Sequence, residues 1–406
     1  MSDAAQAWNP TTPARRNRIF ELVLQHLCRR MTCGTLTLVM PGGAVYRHRT
    51  GRPGPEAMLV VHGWRTLRRL LVSGDVGFGE SFVDGDWSSP DPVALLEIAL
   101  RSSAAADSAV DDPVWARVLN MLLHRLRPNT LAGSRRNIVE HYDLGNDFYR
   151  LWLDRGMSYS SALYAAPTMS LEAAQRAKQD RIIAWLEPEP AHSVLEIGCG
   201  WGGMAQRLAE CCRHVTGLTL SPAQRAYAKE TLAAAGLSDR VDIRLEDYRQ
   251  TGGRFDRIVS IEMLEAVGEA YWPVYFERVR ELLTPGGVAV IQVITIDDSR
   301  FDVYRRQPDF VQRHVFPGGM LPSPRMMRLH TRRAGLEIDR QEMFGASYVR
   351  TLQEWRARFT AAWPAIAALG FPPRFRRLWE YYLAYCEAGF RVGTIDVGLW
   401  RLRRPA

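Results

Sequence analysis

Val194-Leu-Glu-Ile-Gly-Cys-Gly-Trp-Gly-Gly203 is the stretch that decides the fold. An apolar strand, Ser193–Ile197, runs straight into glycines at 198, 200, 202 and 203, and a helical segment follows. Glycines there let the backbone turn tightly and approach a ligand closely. Gly198, Gly200 and Gly203 also satisfy the dinucleotide spacing GxGxxG, which is weak evidence by itself. Outward from this loop, strands and helices alternate. Further strands are expected at His214–Leu220, Val241–Leu245, Asp256–Ile261 and Gly287–Ile294. Helices are expected at Trp201–Cys211, Pro222–Ala235 and Tyr271–Leu282. The alternation predicts an α/β fold: a parallel sheet covered on both faces, with ligands at the carboxyl ends of its strands.

A dinucleotide site wants an acid roughly 20 residues on, at the end of the second strand. That strand ends Gly217-Leu-Thr-Leu-Ser221, with no acid. Glu196 resembles the acid that methyltransferases place near the methionine moiety of S-adenosylmethionine. Leu283-Thr-Pro-Gly-Gly287 resembles the turn before their fifth strand. The resemblance implies a Rossmann-like class I methyltransferase sheet rather than a nicotinamide enzyme. Against an RNA methyltransferase, Glu262-Met-Leu-Glu265 stands where an NPPY-type tetrapeptide would follow the fourth strand.

The rest of the 406 residues set the frame. A hydrophobic content of 47% with 24% charged residues is that of a folded chain and excludes disorder and collagen-like repeats. No run of about 20 apolar residues occurs, so no membrane-spanning helix is expected. Met1 to Arg18 carries no apolar core of a secretory signal and reads as a flexible leader over 1–18. The six cysteines form no CxxC pair and no His cluster sits at zinc spacing, so no metal site is expected. A net charge of +8 points weakly to an anionic partner, nucleic acid or a lipid surface.

Residues 19–125 read as a small α+β domain. Ile19, Phe20, Val23, Leu24 and Leu27 recur at helical spacing between arginines, which suits packing on the domain or lying on a lipid interface. Strands are expected at Thr35–Met40 and Met58–Trp64, a Gly/Asp-rich loop with a short helix at Gly74–Trp87, and a helix at Ser88–Leu100. Ser102–Asp112 reads as a linker, with the boundary near 125–135 and the main domain over 126–406.

Several separated motifs resemble the cyclopropane-fatty-acid synthase family over roughly residues 130 to 400. They are His141-Tyr-Asp-Leu-Gly-Asn-Asp-Phe-Tyr149, Met157-Ser-Tyr-Ser-Ser-Ala162, Gly217-Leu-Thr-Leu-Ser-Pro-Ala-Gln224, Ser260-Ile-Glu-Met-Leu-Glu-Ala-Val-Gly268 and Phe316-Pro-Gly-Gly-Met-Leu-Pro-Ser323. The resemblance implies that the small domain is lipid-associated. It implies S-adenosylmethionine as methyl donor, held by Tyr159, Ser160, Gly198, Gly200, Thr219, Gln224, Asp247, Tyr248 and Ile261, beside the Glu196 read above. The substrate it implies is the cis double bond of an unsaturated phospholipid acyl chain. The π electrons take the methyl group, a carbocation forms, and a base removes a proton.

In that family the base is thought to be a bicarbonate held by a Cys/Glu/His/Ile/Tyr constellation. The Glu falls on Glu265, the Ile on Ile294 and the Tyr on Tyr348, in Phe344-Gly-Ala-Ser-Tyr348. The Cys is Ser161 here, the His is Gln292, and the His that commonly follows the Glu is Ala266. Ser and Gln still donate hydrogen bonds to an anion, without the same titration or shape. These departures leave methylation standing and favour a branch that methylates without closing the ring. Cyclopropanation and a non-catalytic lipid-binding member stay open as alternatives. Cys386 aligns with a cysteine once proposed as nucleophile and is expected to pack near the acyl tunnel. His141 and Asp143 are expected to order a lid. The basic, aromatic stretch Arg374–Tyr385 reads as a core helix with a solvated face, or as a contact for phospholipid headgroups. Cytoplasmic location on the inner membrane face, an anionic membrane surface as partner, no nucleic acid, and a homodimer as one option complete the expectation.

Overall fold

The computed structural model describes residues 24–25, 27–105 and 144–406. The leader, most of the first amphipathic helix, most of the linker, and His141 with Asp143 lie outside the described residues. The chain forms two compact units, Met1–Leu122 with Gly370–Thr394, and Leu123–Leu369 with Ile395–Ala406.

The first unit holds four strands, β1 (Thr35–Val39), β2 (Val45–Arg49), β3 (Glu56–Val61) and β4 (Trp87–Ser88), in the order β2-β1-β3-β4. β1 pairs antiparallel with β2 and parallel with β3. Helix α1 spans Arg65–Val83, which corrects the loop with a short helix expected at Gly74–Trp87: residues 74–83 end a long helix. The glycines there serve a kink and a close approach. Ser73 and Gly74 leave helical geometry, Gly74 at φ +50°. A Cβ on Gly77 would lie 2.3 Å from the Arg69 carbonyl oxygen. Helix α2 follows at Pro92–Ala105.

The long helix Pro373–Val392 belongs to this unit, although the sequence reading put residues 370–394 in the main domain. Its arginines are engaged inside the unit. Arg374 meets Asp84 at 3.0 Å, Arg376 meets Glu380 at 2.8 Å, and Arg391 meets the buried Glu387 at 2.7 Å. Arg377 donates to the Phe82 and Trp87 carbonyls and stacks over the Phe82 ring. Of the two readings of this stretch, the internal pairing favours the core helix.

The second unit is a seven-stranded sheet. Its strands are β5 (Ser193–Ile197), β6 (His214–Thr219), β7 (Val241–Leu245), β8 (Phe255–Ile261), β9 (Leu283–Ile296), β10 (Glu337–Met343) and β11 (Ile395–Arg403), in the order β10-β11-β9-β8-β5-β6-β7. The pairs β7-β6-β5-β8-β9 are parallel, and β11 runs antiparallel to both neighbours. The five expected strands are the parallel ones, and they read as apolar runs because both faces are covered. Ser221 caps the helix Pro222–Ala234, its hydroxyl accepting from the Gln224 amide, with Pro222 in the first turn. The core gathers Leu195, Ile197, Ile258, Trp272, Phe276, Ile291 and Trp400 between sheet and helices. Among the described residues no helix is long and apolar enough to cross a membrane.

Candidate active site

The sheet order reverses between β5 and β8, and the crevice lies outside the carboxyl ends of these strands. β5 delivers Glu196 and the glycine loop there. The amides of Gly198 and Cys199 donate to the Leu218 carbonyl at 3.0 and 2.8 Å, which ties the loop to β6. Gly198 is exposed between buried Ile197 and Cys199. Gly198 adopts φ +82°, and a Cβ on it would lie 3.0 Å from Met263 Cγ. Gly200, at φ +53°, faces open space where a Cβ would sit. Thr219 Oγ1 donates to Gln224 Oε1 at 2.8 Å, both side chains buried. Glu196 is buried, its Oε2 has no partner among the described residues, and burial pushes its carboxyl up to about 8 against the pull of Lys178. An open glycine cradle beside a carboxylate oxygen without a partner among the described residues could hold S-adenosylmethionine, whose ammonium would be a donor to that oxygen.

Asp247 was expected near the adenine amine. Its Oδ1 accepts from the amide and Nε of Arg249, each at 2.9 Å, and its Oδ2 from Nη2 at 2.7 Å. Arg249 therefore fixes the orientation of this carboxylate. Tyr248 is buried beside it, and burial pushes its phenol up.

The loop carrying Tyr159, Ser160 and Ser161 is knotted by Asp154. Its Oδ2 accepts from the Gly156 amide at 2.8 Å and its Oδ1 from the Ser158 amide at 2.9 Å. Met157, between them, takes φ +54°. From the helix Leu171–Leu186, Gln175 Nε2 donates to the Ser160 carbonyl at 2.9 Å and Lys178 Nζ to Ser160 Oγ at 2.6 Å. Lys178 is only 2% exposed.

β8 ends at Ile261, and the next residue, Glu262, adopts φ +48°. That left-handed turn aims its carboxylate at residues far away in sequence. Oε1 accepts from the Ser161 amide at 2.8 Å and from Gln292 Nε2 at 2.7 Å. Oε2 accepts from the Tyr348 hydroxyl at 2.8 Å. Burial raises the Glu262 carboxyl, while its three hydrogen bonds and Lys178 hold it down. Glu265 lies one short 3-10 turn further on. Its Oε1 accepts from the Ile294 amide at 2.6 Å and its Oε2 has no partner among the described residues. Burial and the coulombic influence of Glu262 push Glu265 up to about 8, so the Glu265 carboxyl is largely protonated at neutral pH.

Aromatic rings wall this centre. Tyr159 lies 5.3 Å from both Tyr149 and Trp355, and Tyr348 lies 6.0 Å from Trp355. Such faces attract a cation. Asn146 links wall and loop: its Oδ1 accepts from Trp201 Nε1 at 2.8 Å and its Nδ2 donates to the Ala223 carbonyl at 3.2 Å.

The expected residues Ser161, Gln292 and Tyr348 thus meet, but around Glu262, which the sequence reading did not single out. Glu265 and Ile294 meet each other. Cys386 sits on the helix Pro373–Val392 of the first unit as a half-buried thiol. Lys178 and Asp154 were also missed. Lys178 had a signal, since it falls on the buried stripe Leu171, Ala174, Gln175, Ile182 and Trp185 of its helix.

A family model described as mycolic acid cyclopropane synthetase matches residues 130–400. Tuberculostearic acid methyltransferase UfaA1 of Mycobacterium tuberculosis is 38% identical over 400 residues, covering 96% of this chain and 90% of that protein. Cyclopropane-fatty-acyl-phospholipid synthase of Escherichia coli is 36% identical over 339 residues, covering 83% of this chain and 84% of that protein. The crystal structure of mycolic acid cyclopropane synthase CmaA1, complexed with SAH and CTAB, superposes with TM-score 0.62 at 30% identity, covering 66% of this chain and 98% of that one. The glycine cradle, the strand order and these likenesses agree: the chain belongs to the mycolic acid cyclopropane synthetase family and is an S-adenosylmethionine-dependent methyltransferase.

Proposed function

We propose that this enzyme methylates the cis double bond of an unsaturated fatty acyl chain on a phospholipid, and that the product is methyl-branched or methylene-bearing, without a ring. The observation that carries this reading is the pairing of buried carboxyls with aromatic faces. Glu262 and Glu265 lie at the carboxyl ends of the sheet, with Tyr159, Tyr348 and Trp355 beside them. An alkene is a weak nucleophile and a sulfonium a strong methyl donor, so the reaction leaves a cation on the chain. Negative charge and π faces in a dry site stabilise such a cation. The ring-free outcome draws support from Ser161 and Gln292 at the positions of Cys and His, and from the 96% coverage by a tuberculostearic acid methyltransferase. A phospholipid substrate implies work at a membrane surface from the cytoplasmic side, by contact rather than by crossing. Tyr159, Ser160, Glu196, Gly198, Gly200, Thr219, Gln224, Asp247, Tyr248 and Ile261 are proposed to hold the methyl donor.

The test is mass spectrometry of lipids from cells that make only monounsaturated phospholipids, grown with methyl-trideuterated methionine, with and without the protein. Three deuteriums in a branched alkene, or two in an exocyclic methylene, are expected. Two deuteriums in a ring that resists hydrogenation would overturn the ring-free reading. No labelled lipid would overturn the substrate.

A further inference from the structure

The donors that the family resemblance assigns to bicarbonate are already engaged. The Ser161 amide, Gln292 Nε2 and the Tyr348 hydroxyl all end on the Glu262 carboxylate. The Ile294 amide ends on Glu265, and Ser161 Oγ donates to the Ala162 carbonyl at 3.0 Å. A carboxylate presents the same planar pair of oxygens as bicarbonate. The residues present do not fit a further anion.

We propose, resting on the methyl transfer to an alkene argued above, that Glu262 is this enzyme's own catalytic base and takes the place of a bound bicarbonate. Three features carry this. The three donors come from separate segments, 101, 30 and 86 residues away, and converge on one carboxylate. All three donors are uncharged, so the carboxylate is oriented without being neutralised by a direct ion pair. Its own backbone is held in the left-handed region at φ +48°, a conformation that persists only when the surroundings impose it.

The step balances. The π pair of the alkene forms the new bond to the methyl carbon. The carbon–sulfur bond breaks with its electrons going to sulfur, which leaves S-adenosylhomocysteine. The neighbouring chain carbon carries the positive charge. Glu262 takes a proton from a carbon next to it, the C–H pair becomes the new double bond, and Glu262 is left as a carboxylic acid. The proton passes to water when the product leaves. Glu265, already protonated, does not compete for it.

The experiment follows methyl transfer from labelled S-adenosylmethionine to vesicles of dioleoyl phosphatidylglycerol, in carbon-dioxide-free buffer and with added bicarbonate. The wild-type rate is expected to stay within about twofold between the two, as is fitting for a base that is part of the chain. Glu262→Gln is expected to lose about 100-fold or more. Glu262→Gly relieves the left-handed strain, so it folds, and its S-adenosylmethionine affinity measured by calorimetry confirms this. Its rate is expected to fall with that of the Gln variant and to recover about tenfold or more with added formate or bicarbonate. A wild-type enzyme that stops when bicarbonate is removed overturns the proposal and leaves the methyltransferase reading intact. So does a Glu262→Gln enzyme at near wild-type rate. A wild-type enzyme that labels no lipid in either buffer overturns the substrate reading and the base with it.

Discussion

Lys178 reaches from the middle of a buried helix face to donate its Nζ to Ser160 Oγ at 2.6 Å. It is a cation beside the acids Glu262, Asp154 and Glu196, whose charges hold its ammonium up while burial pulls it down to about 8. Its ordinary value is 10.5, so the unfolded chain binds the extra proton between about 8 and 10.5 and this group's contribution to stability rises with pH there. Activity has the opposite slope, because the charge balancing the acids is lost in the folded protein above about 8. We expect initial methyl-transfer rates to fall as pH passes that value. Lys178→Met should lower the rate about tenfold or more and remove that alkaline limb.

Glu196 gives a prediction on the methyl donor itself. Its carboxyl is raised to about 8 and one oxygen lacks a partner among the described residues. A cationic ligand favours the carboxylate, so binding expels a proton wherever Glu196 is still protonated. Affinity for S-adenosylmethionine should therefore rise from about pH 6 to about pH 8. Calorimetry across that range should show proton release in wild type and a flat profile in Glu196→Gln.

The raised values of Glu196 and Glu265 also predict the acid side of stability. Each is raised from 4.5 to about 8, so the folded state holds more protons than the unfolded state between those limits. The stabilisation is full below about 4.5 and is lost as pH rises through about 8. Thermal melts should show Tm falling over that window, and Glu265→Gln should reduce the fall.

Gly198→Ala tests the cradle. The residue would sit at φ +82° with its Cβ 3.0 Å from Met263 Cγ. A left-handed non-glycine residue costs about 1–3 kcal/mol, and here the displaced side chain lies at the ligand crevice. Donor affinity should drop about tenfold, measured by calorimetry, with a smaller change in Tm.

Gly398→Ala tests how closely β10 packs on β11. A Cβ there would lie 2.4 Å from Met343 Sδ and 2.7 Å from the Glu342 carbonyl oxygen. Overpacking of this kind costs about 1–3 kcal/mol, which should appear as a lower urea midpoint with donor affinity unchanged.

The parallel strands were legible because their two covered faces demand continuous apolar runs, and the glycine loop because its backbone needs no side chains. β10 and β11 were not. β10, Glu337–Met343, is an edge strand whose residues are mostly polar and solvent-facing. β11 carries Gly398 and Arg401 through the interior, and Arg401 is tolerated there because it pairs with Glu187 and Asp339. The second half of helix α1 reads as a loop with a short helix because its glycines, needed for a kink and a close backbone approach, are the residues that usually mark turns. In the site, the positions of Ser161, Gln292 and Tyr348 were legible from motif order. Glu262 was not, since only its left-handed backbone turns it towards them, and no residue pattern announces such a turn in advance.

The helix Pro373–Val392 leaves the second unit's chain at residue 370 and returns at 395 as β11, a strand inside the main sheet. The first unit is therefore assembled from two stretches separated by most of the second unit. On a ribosome its four strands emerge before the second unit, yet the helix whose Arg377 binds Phe82 and Trp87 is synthesised almost 300 residues later. The unit must wait, incomplete, until most of the second unit has been translated. A cut near residue 130 meant to isolate the catalytic sheet would strand that helix without the strands and turns it was made to cover. The small unit is thus closed only after most of the sheet that follows its strands has been made, and just before β11 enters that sheet.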